Sequence, residues 1–212
     1  MDKWFRVERF VEGGLEANCY TISFEDFSCV IDPCVSYKSI IRQSKHLKEI
    51  KAIFITHGHF DHFLELQSYI DNTDAIIYLH KKAVEKLNSP AKNCSKLCGY
   101  DLSFDLEKLR NRIITVENDF SIGDYNFKTI YFPGHTDCSI AFMYDDFMFT
   151  GDFIFASSIG RTDLYTGNSV SMKLSLEKFK DLKFDNFIIM PGHDKSSDFI
   201  TELKKNPYLL KK

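Results

Sequence analysis

The chain has 212 residues, of which 44% are hydrophobic and 27% charged, and a formal net charge of -3. Such a chain is long enough to bury a sizeable core, and its composition is that of an ordinary globular protein expected to form one domain over 1–212. The faintly acidic balance, without a basic stripe, argues against nucleic acid as a partner.

The opening "MDKWFRVERF" interleaves charges with aromatics and lacks the apolar centre of a signal peptide. No run of about 18 apolar residues follows, so no membrane span is expected and the cytoplasm is the expected location. Short aromatic or β-branched runs bounded by turn residues predict strands at 19–24 and 28–31. Apolar residues at three- and four-residue spacing then predict a helix over 35–50. A strand is predicted over 51–56, a helix over 61–70, a strand over 75–79, a helix over 81–88 and a strand over 112–116. Three strands follow at 127–132, 139–144 and 147–151, then a helix at 169–182, a strand at 187–190 and a helix at 198–205. This order suggests sheets sandwiched by helices rather than a simple alternation of strand and helix.

The polar segment 88–105, "NSPAKNCSKLCGYDLSFD", has no clear period; a lid, a substrate loop and a plain surface excursion all suit it. The lysines clustered in "LKKNPYLLKK" are those of a solvated terminus. Six cysteines (Cys19, Cys29, Cys34, Cys94, Cys98 and Cys138) are scattered in a chain too long to need disulfide staples. Cys94 and Cys98 lack a matching second pair, so a separate zinc site there is not expected.

The chemistry concentrates in "FITHGHFDHFLEL", residues 54–66. Buried histidine and aspartate need a partner that offsets their desolvation, and a metal ion is one. Four predicted strands end in residues able to ligate metal: His57, His59, Asp61 and His62 after "AIFIT", His135 after "TIYF", Asp152 after "FMFT" and His193 after "FIIM". Loops at strand ends converge on ligands while the strands hold them rigidly. His57 and His59 alternate in a turn and can face one ion, with His135 completing its set. Asp61 and His62 open the next helix and can face a second ion with His193, and the two oxygens of Asp152 can bridge both. An imidazole and carboxylate set suits zinc, with iron and manganese compatible, and leaves exchangeable positions as catalysis requires. A hydroxide shared by two such ions would be ionised near neutral pH and serve as nucleophile.

The ordered set "THGHFDH", "PGHT", "TGD" and "PGH" resembles the signature of the metallo-β-lactamase-fold hydrolases, and within them the glyoxalase II-like branch. The resemblance runs nearly end to end, from "EANCYTI" and "VIDP" to "KKNPYL". It implies an α/β fold, a four-layer αβ/βα sandwich with the metal site at one edge of two sheets. It also implies two divalent metal ions, one on His57, His59 and His135, the other on Asp61, His62 and His193, with Asp152 between them; Asp61 and Asp152 are the catalytic carboxylates. The implied reaction is hydrolysis of a small-molecule acyl thioester such as a hydroxyacylglutathione. The leaving thiolate, with a pKa of about 8.5, departs without a general acid.

"GRTD" after Asp152 is similar to the small glyoxalase II-like proteins and to persulfide dioxygenases. Arg161 stands where glyoxalase II has a basic substrate contact, and an arginine there suits a carboxylate. A surface pair with Asp163 is the plainer role for the same side chain. Lys195 stands where the larger enzyme has a substrate-facing tyrosine, and only 19 residues follow His193. The rival readings are a mononuclear iron persulfide dioxygenase on His57, His135 and Asp152, a small-molecule phosphodiesterase or lactonase, and a metal-binding protein without activity.

Overall fold

The computed structural model describes residues 4–210. Met1, Asp2 and Lys3 of the charged N-terminal stretch, and Lys211 and Lys212 of the C-terminal lysine cluster, lie outside the described residues. The first sheet has six strands in sequence order: β1 (Arg6–Val11), β2 (Asn18–Ser23), β3 (Ser28–Ile31), β4 (Ile50–Ile55), β5 (Ile76–Leu79) and β6 (Ile113–Thr115). β1 to β3 pair antiparallel, and β3 to β6 run parallel.

The second sheet is built from β7 (Phe120–Ile122), β8 (Tyr125–Tyr131), β9 (Ile140–Tyr144), β10 (Phe147–Gly151), β13 (Ile188–Pro191) and β14 (Ser197–Asp198). Its order is β14-β13-β10-β9-β8-β7. A two-stranded ribbon, β11 (Ile154–Phe155) with β12 (Ser158–Ile159), leaves its edge directly after β10.

β4 explains the layering. Its residues are almost all buried, as expected of a parallel strand covered on both faces. Ala52 and Phe54 point into the core between the sheets, whereas Ile53 and Ile55 point into the core beneath the first helical layer. That layer comprises α1 (Tyr37–Gln43) and α2 (Leu66–Ile70), with α3 (Val84–Leu87) and α4 (Leu106–Leu109) nearby. Between the sheets the packing is aromatic: Phe54 stacks on Phe142 at 4.9 Å, and Tyr20 meets Phe149 edge-on at 5.3 Å. The other face of the second sheet is covered by α5 (Ser169–Lys180), α6 (Phe199–Lys205) and α7 (Pro207–Leu210). Asn168 caps α5 by accepting from the Ser171 N–H at 2.8 Å, and Met172, Leu176 and Phe179 form its buried stripe. The result is the expected four-layer αβ/βα sandwich.

All nine predicted strands are present, and the helices are shorter than their periodicity suggests. The helix predicted over 35–50 stops at Gln43, because Ser28 draws the next segment into the sheet: its N–H donates to Glu49 O at 2.8 Å and its hydroxyl accepts from Lys48 N at 2.9 Å. The predicted 61–70 helix is a 3₁₀ turn at Phe60–His62 followed by α2. β1 carries no clear sequence signal, since it is an edge strand in which Phe10 alone is buried. No helix among the described residues is long and apolar enough to cross a membrane.

Candidate metal centre

β8, β10 and β13 run in one direction, so their C-terminal ends, bearing His135, Asp152 and His193, lie at one edge of the second sheet. The end of β4 brings the His57 to His62 segment to the same place. Three overlapping groups of donor atoms result: His57, His59 and His135; His57, His62 and Asp152; and Asp61, His62 and His193. His57 and His62 each belong to two of these groups, so the seven residues form one continuous cluster.

Asp152 lies in its middle. Its Oδ1 is 3.3 Å from His62 Nε2, and its Oδ2 is 3.5 Å from His135 Nε2 and 3.7 Å from His193 Nε2. His193 Nε2 also lies 3.3 Å from Asp61 Oδ2. A Cβ at residue 192 would overlap Asp152 Oδ1 and His62 Cε1, which is why glycine precedes His193.

Partners outside the cluster aim three of the imidazoles. His135 Nδ1 donates to Arg161 O at 2.8 Å, and His62 Nδ1 donates to Asp32 Oδ2 at 2.8 Å. The Thr56 hydroxyl gives its proton to Asp32 Oδ2 at 2.7 Å, so at 3.2 Å it accepts from His57 Nδ1. Each Nε2 is thereby turned inward. His59 instead presents Nδ1, at 2.8 Å from His135 Nε2 and 3.2 Å from His57 Nε2.

Neutral imidazoles crowded nitrogen to nitrogen cannot all donate to one another, and lone pairs so close repel. His62 Nε2 and Asp152 Oδ1 are buried without a hydrogen-bond partner, as is His59 Nε2 on the far side of its ring. Burial costs of this kind persist where a cation gathers the lone pairs. The donor set and its unpartnered atoms therefore fit divalent metal.

Electrostatics divide the histidines. Burial, reinforced by neighbouring imidazoles, depresses the pKa of His57 and His135, and that of His59 to about 3, which keeps all three neutral as ligation demands. Burial opposes charge on His62 as well, but Asp152, Asp61 and Asp32 outweigh it and raise its pKa well above the ordinary value. Burial pushes the Asp61 and Asp152 pKa values up, and His62 overcomes this, so both carboxyls are held below their usual range.

The cluster forms the floor of a cavity of about 490 Å³ walled by Leu15, Phe60, Leu97, Phe155, Leu164 and Arg161, among others. Segment 88–105 supplies Cys94, Leu97 and Cys98 to this wall. It is tied to the histidine turn by Phe60 N donating to Asn93 O at 3.0 Å. All six cysteines are free, and none joins a metal-binding group among the described residues. Arg161 is exposed at the rim and forked onto Asp163, Nε to Oδ1 at 2.6 Å and Nη2 to Oδ2 at 2.8 Å. Lys195 lines an adjoining cavity of about 660 Å³ that shares Leu15 and His193 with the first.

Asp32 and Thr56 have no role in the sequence reading. The available signal was an aspartate closing the apolar strand "SCVI" and a threonine closing "AIFIT"; a buried Asp must have partners.

Comparison with known proteins agrees with this arrangement. The Metallo-beta-lactamase superfamily description matches residues 13–193. The chain is similar to Probable metallo-hydrolase YqgX of Bacillus subtilis, 30% identical, with 98% of this chain and 97% of that one covered. It is also similar to Hydroxyacylglutathione hydrolase 1 of Vibrio vulnificus, 31% identical over 72% of this chain and 52% of that one. Its fold superposes on the crystal structure of the BLEG-1 B3 metallo-beta-lactamase with a TM-score of 0.85 and 27% identity, covering 97% of this chain and 100% of that one. Matching sequence, matching fold and a histidine and aspartate cluster at the sheet edge together show that this chain belongs to the metallo-beta-lactamase superfamily.

Proposed function

We propose that the chain is a metal-dependent hydrolase of small acyl thioesters, with hydroxyacylglutathione as the model substrate. The observation that carries this reading is the position of Asp152 between two groups of donor atoms at the floor of an accessible cavity. The likeness to a hydroxyacylglutathione hydrolase over 72% of the chain supports the choice of thioesters.

In this reading His57, His59 and His135 hold one cation, Asp61, His62 and His193 hold another, and Asp152 serves both. Two divalent ions, zinc first and iron or manganese next, would supply Lewis acidity and a water ionised at neutral pH when bound. The chain's own residues prepare the rest. Asp61 and Asp152, whose pKa values lie below the usual carboxylate range, offer carboxylate oxygens rather than acid protons. Phe60, Leu97, Phe155 and Leu164 keep water off the acyl group, and Arg161 at the rim orients a carboxylate on the thiol carrier. Lys195, in the adjoining cavity, extends the cationic contacts of the same substrate. A thiolate leaving group, with a pKa of about 8.5, needs no proton donor from the wall.

The test is elemental analysis of protein purified without added metal, followed by a thioester panel that includes S-lactoylglutathione. The expected result is close to two ions per chain and turnover on the panel, with both reduced in Asp152→Ala. Metal-loaded protein inert across the panel would overturn the thioester reading, as would a single iron with oxygen uptake on a persulfide.

A further inference from the structure

Lys86, in α3, is fully buried. A buried ammonium is rare and has to be paired. Its Nζ donates to Asp137 Oδ1 and to Lys82 O, at 2.6 Å and 3.1 Å. Its aliphatic stem runs against Gly58, where a Cβ would overlap Lys86 Cδ and crowd Cβ and Cγ. Gly58 separates His57 from His59, and Asp137 follows His135 by two residues.

Lys86 therefore spans two turns that share no strand. Its stem backs the turn holding His57 and His59, while its charge grips the turn holding His135. Further bonds fix it in place. Asn93 Nδ2 donates to Lys86 O at 3.0 Å, and Asn93 O accepts from Phe60 N at 3.0 Å, just beyond His59. Tyr131 OH donates to Asp137 O at 2.7 Å, anchoring the second turn to β8. Neither Lys86 nor Asp137 lines the site cavity, so neither is placed to touch a substrate there.

We propose that the Lys86–Asp137 pair is a positioning device that sets the spacing of His57, His59 and His135 and so makes these three imidazoles a metal-binding set. An apolar pair could fill the same volume at equal or better stability, because charges taken out of water recover their desolvation only in good geometry. What the ion pair adds is direction, since the ammonium is satisfied in a single register of the two turns. The proposal rests on reading the cluster as a metal site.

The experiment compares the wild type with Lys86→Met, Asp137→Asn and the double variant Lys86→Met/Asp137→Asn. Methionine retains most of the stem along Gly58, and asparagine preserves the shape of Asp137. For each protein, zinc affinity is measured by competition with a chelator, the visible spectrum is recorded with cobalt(II), and Tm is measured. The wild type should bind two ions. Each single variant should lose affinity for one of them by roughly 10- to 100-fold, the usual effect of removing support from metal ligands, with an altered cobalt spectrum. The double variant should regain Tm, since no unpaired charge is left buried, without regaining affinity. Recovery of affinity together with Tm would show a merely structural pair and overturn the proposal. Unchanged affinity in folded Asp137→Asn would also overturn it while leaving the metal site intact. A wild type that binds no metal would remove both.

Discussion

Asp32 and His62 form a buried pair, Oδ2 to Nδ1 at 2.8 Å, and the same carboxylate also accepts from the backbone N–H and the hydroxyl of Thr56. One side chain thus fixes His62 directly and His57 through Thr56. Asp32 does so from a left-handed backbone conformation, φ +51°, that few residues other than glycine, asparagine and aspartate adopt readily.

Asp32→Asn tests this arrangement, because asparagine tolerates the same backbone and keeps the shape while losing the charge. Zinc affinity measured by chelator competition should fall by roughly 10- to 100-fold, the range for partners that orient metal ligands. Unaltered affinity would mean that His57 and His62 are aimed by packing alone.

The raised pKa of His62 predicts a proton inventory. Because the facing carboxylates raise its pKa, His62 is expected to hold a proton in chelator-treated protein, which a cation drawn to its Nε2 has to displace. Calorimetric zinc titrations in buffers of different ionisation enthalpy should show that proton released, with apparent affinity rising with pH. His62→Gln should abolish this component. The sign for stability of the chelated protein follows from linkage. A group whose folded pKa is raised contributes fully below its unfolded value of about 6.5, and the contribution is lost as pH rises through the folded value.

Arg161 and Lys195 are exposed and outside the cluster, so their removal should leave Tm and metal content unchanged. If they anchor the carrier of a thioester, Arg161→Ala should raise KM more than it lowers kcat, with a smaller rise for Lys195→Ala. Asp163→Ala frees Arg161 from its fork and should lower KM. Steady-state kinetics on S-lactoylglutathione decides all three.

Phe54 is fully buried and stacks on Phe142 across the two sheets. Phe54→Ala leaves a cavity between the two sheets and should cost about 3–5 kcal/mol in a denaturation experiment. A loss well below 1 kcal/mol would mean that the inter-sheet core collapses to fill the space.

The strand plan and the seven cluster residues were legible in the sequence because both are local signals. A strand buried on both faces reads as an apolar run, and the residues able to ligate metal sit just after such runs, beside glycine. Ile50–Ile55 followed by His57 is the clearest instance. Helix lengths were not local. The 35–50 period continues past Gln43, yet Ser28 claims the following backbone for the sheet. Spacing suggested the two triads that the structure brings together, His57 with His59 and His135, and Asp61 with His62 and His193; the third group, His57 with His62 and Asp152, depends on how β4 meets β10. Tertiary structure alone decided the supporting contacts. Asp32 and His62 are 30 residues apart, Lys86 and Asp137 are 51 apart, and such pairs arise only when distant turns are packed at one sheet edge. Residue type and order state which atoms can hold a cation; the packing of the sheets determines which of them are aimed to do so.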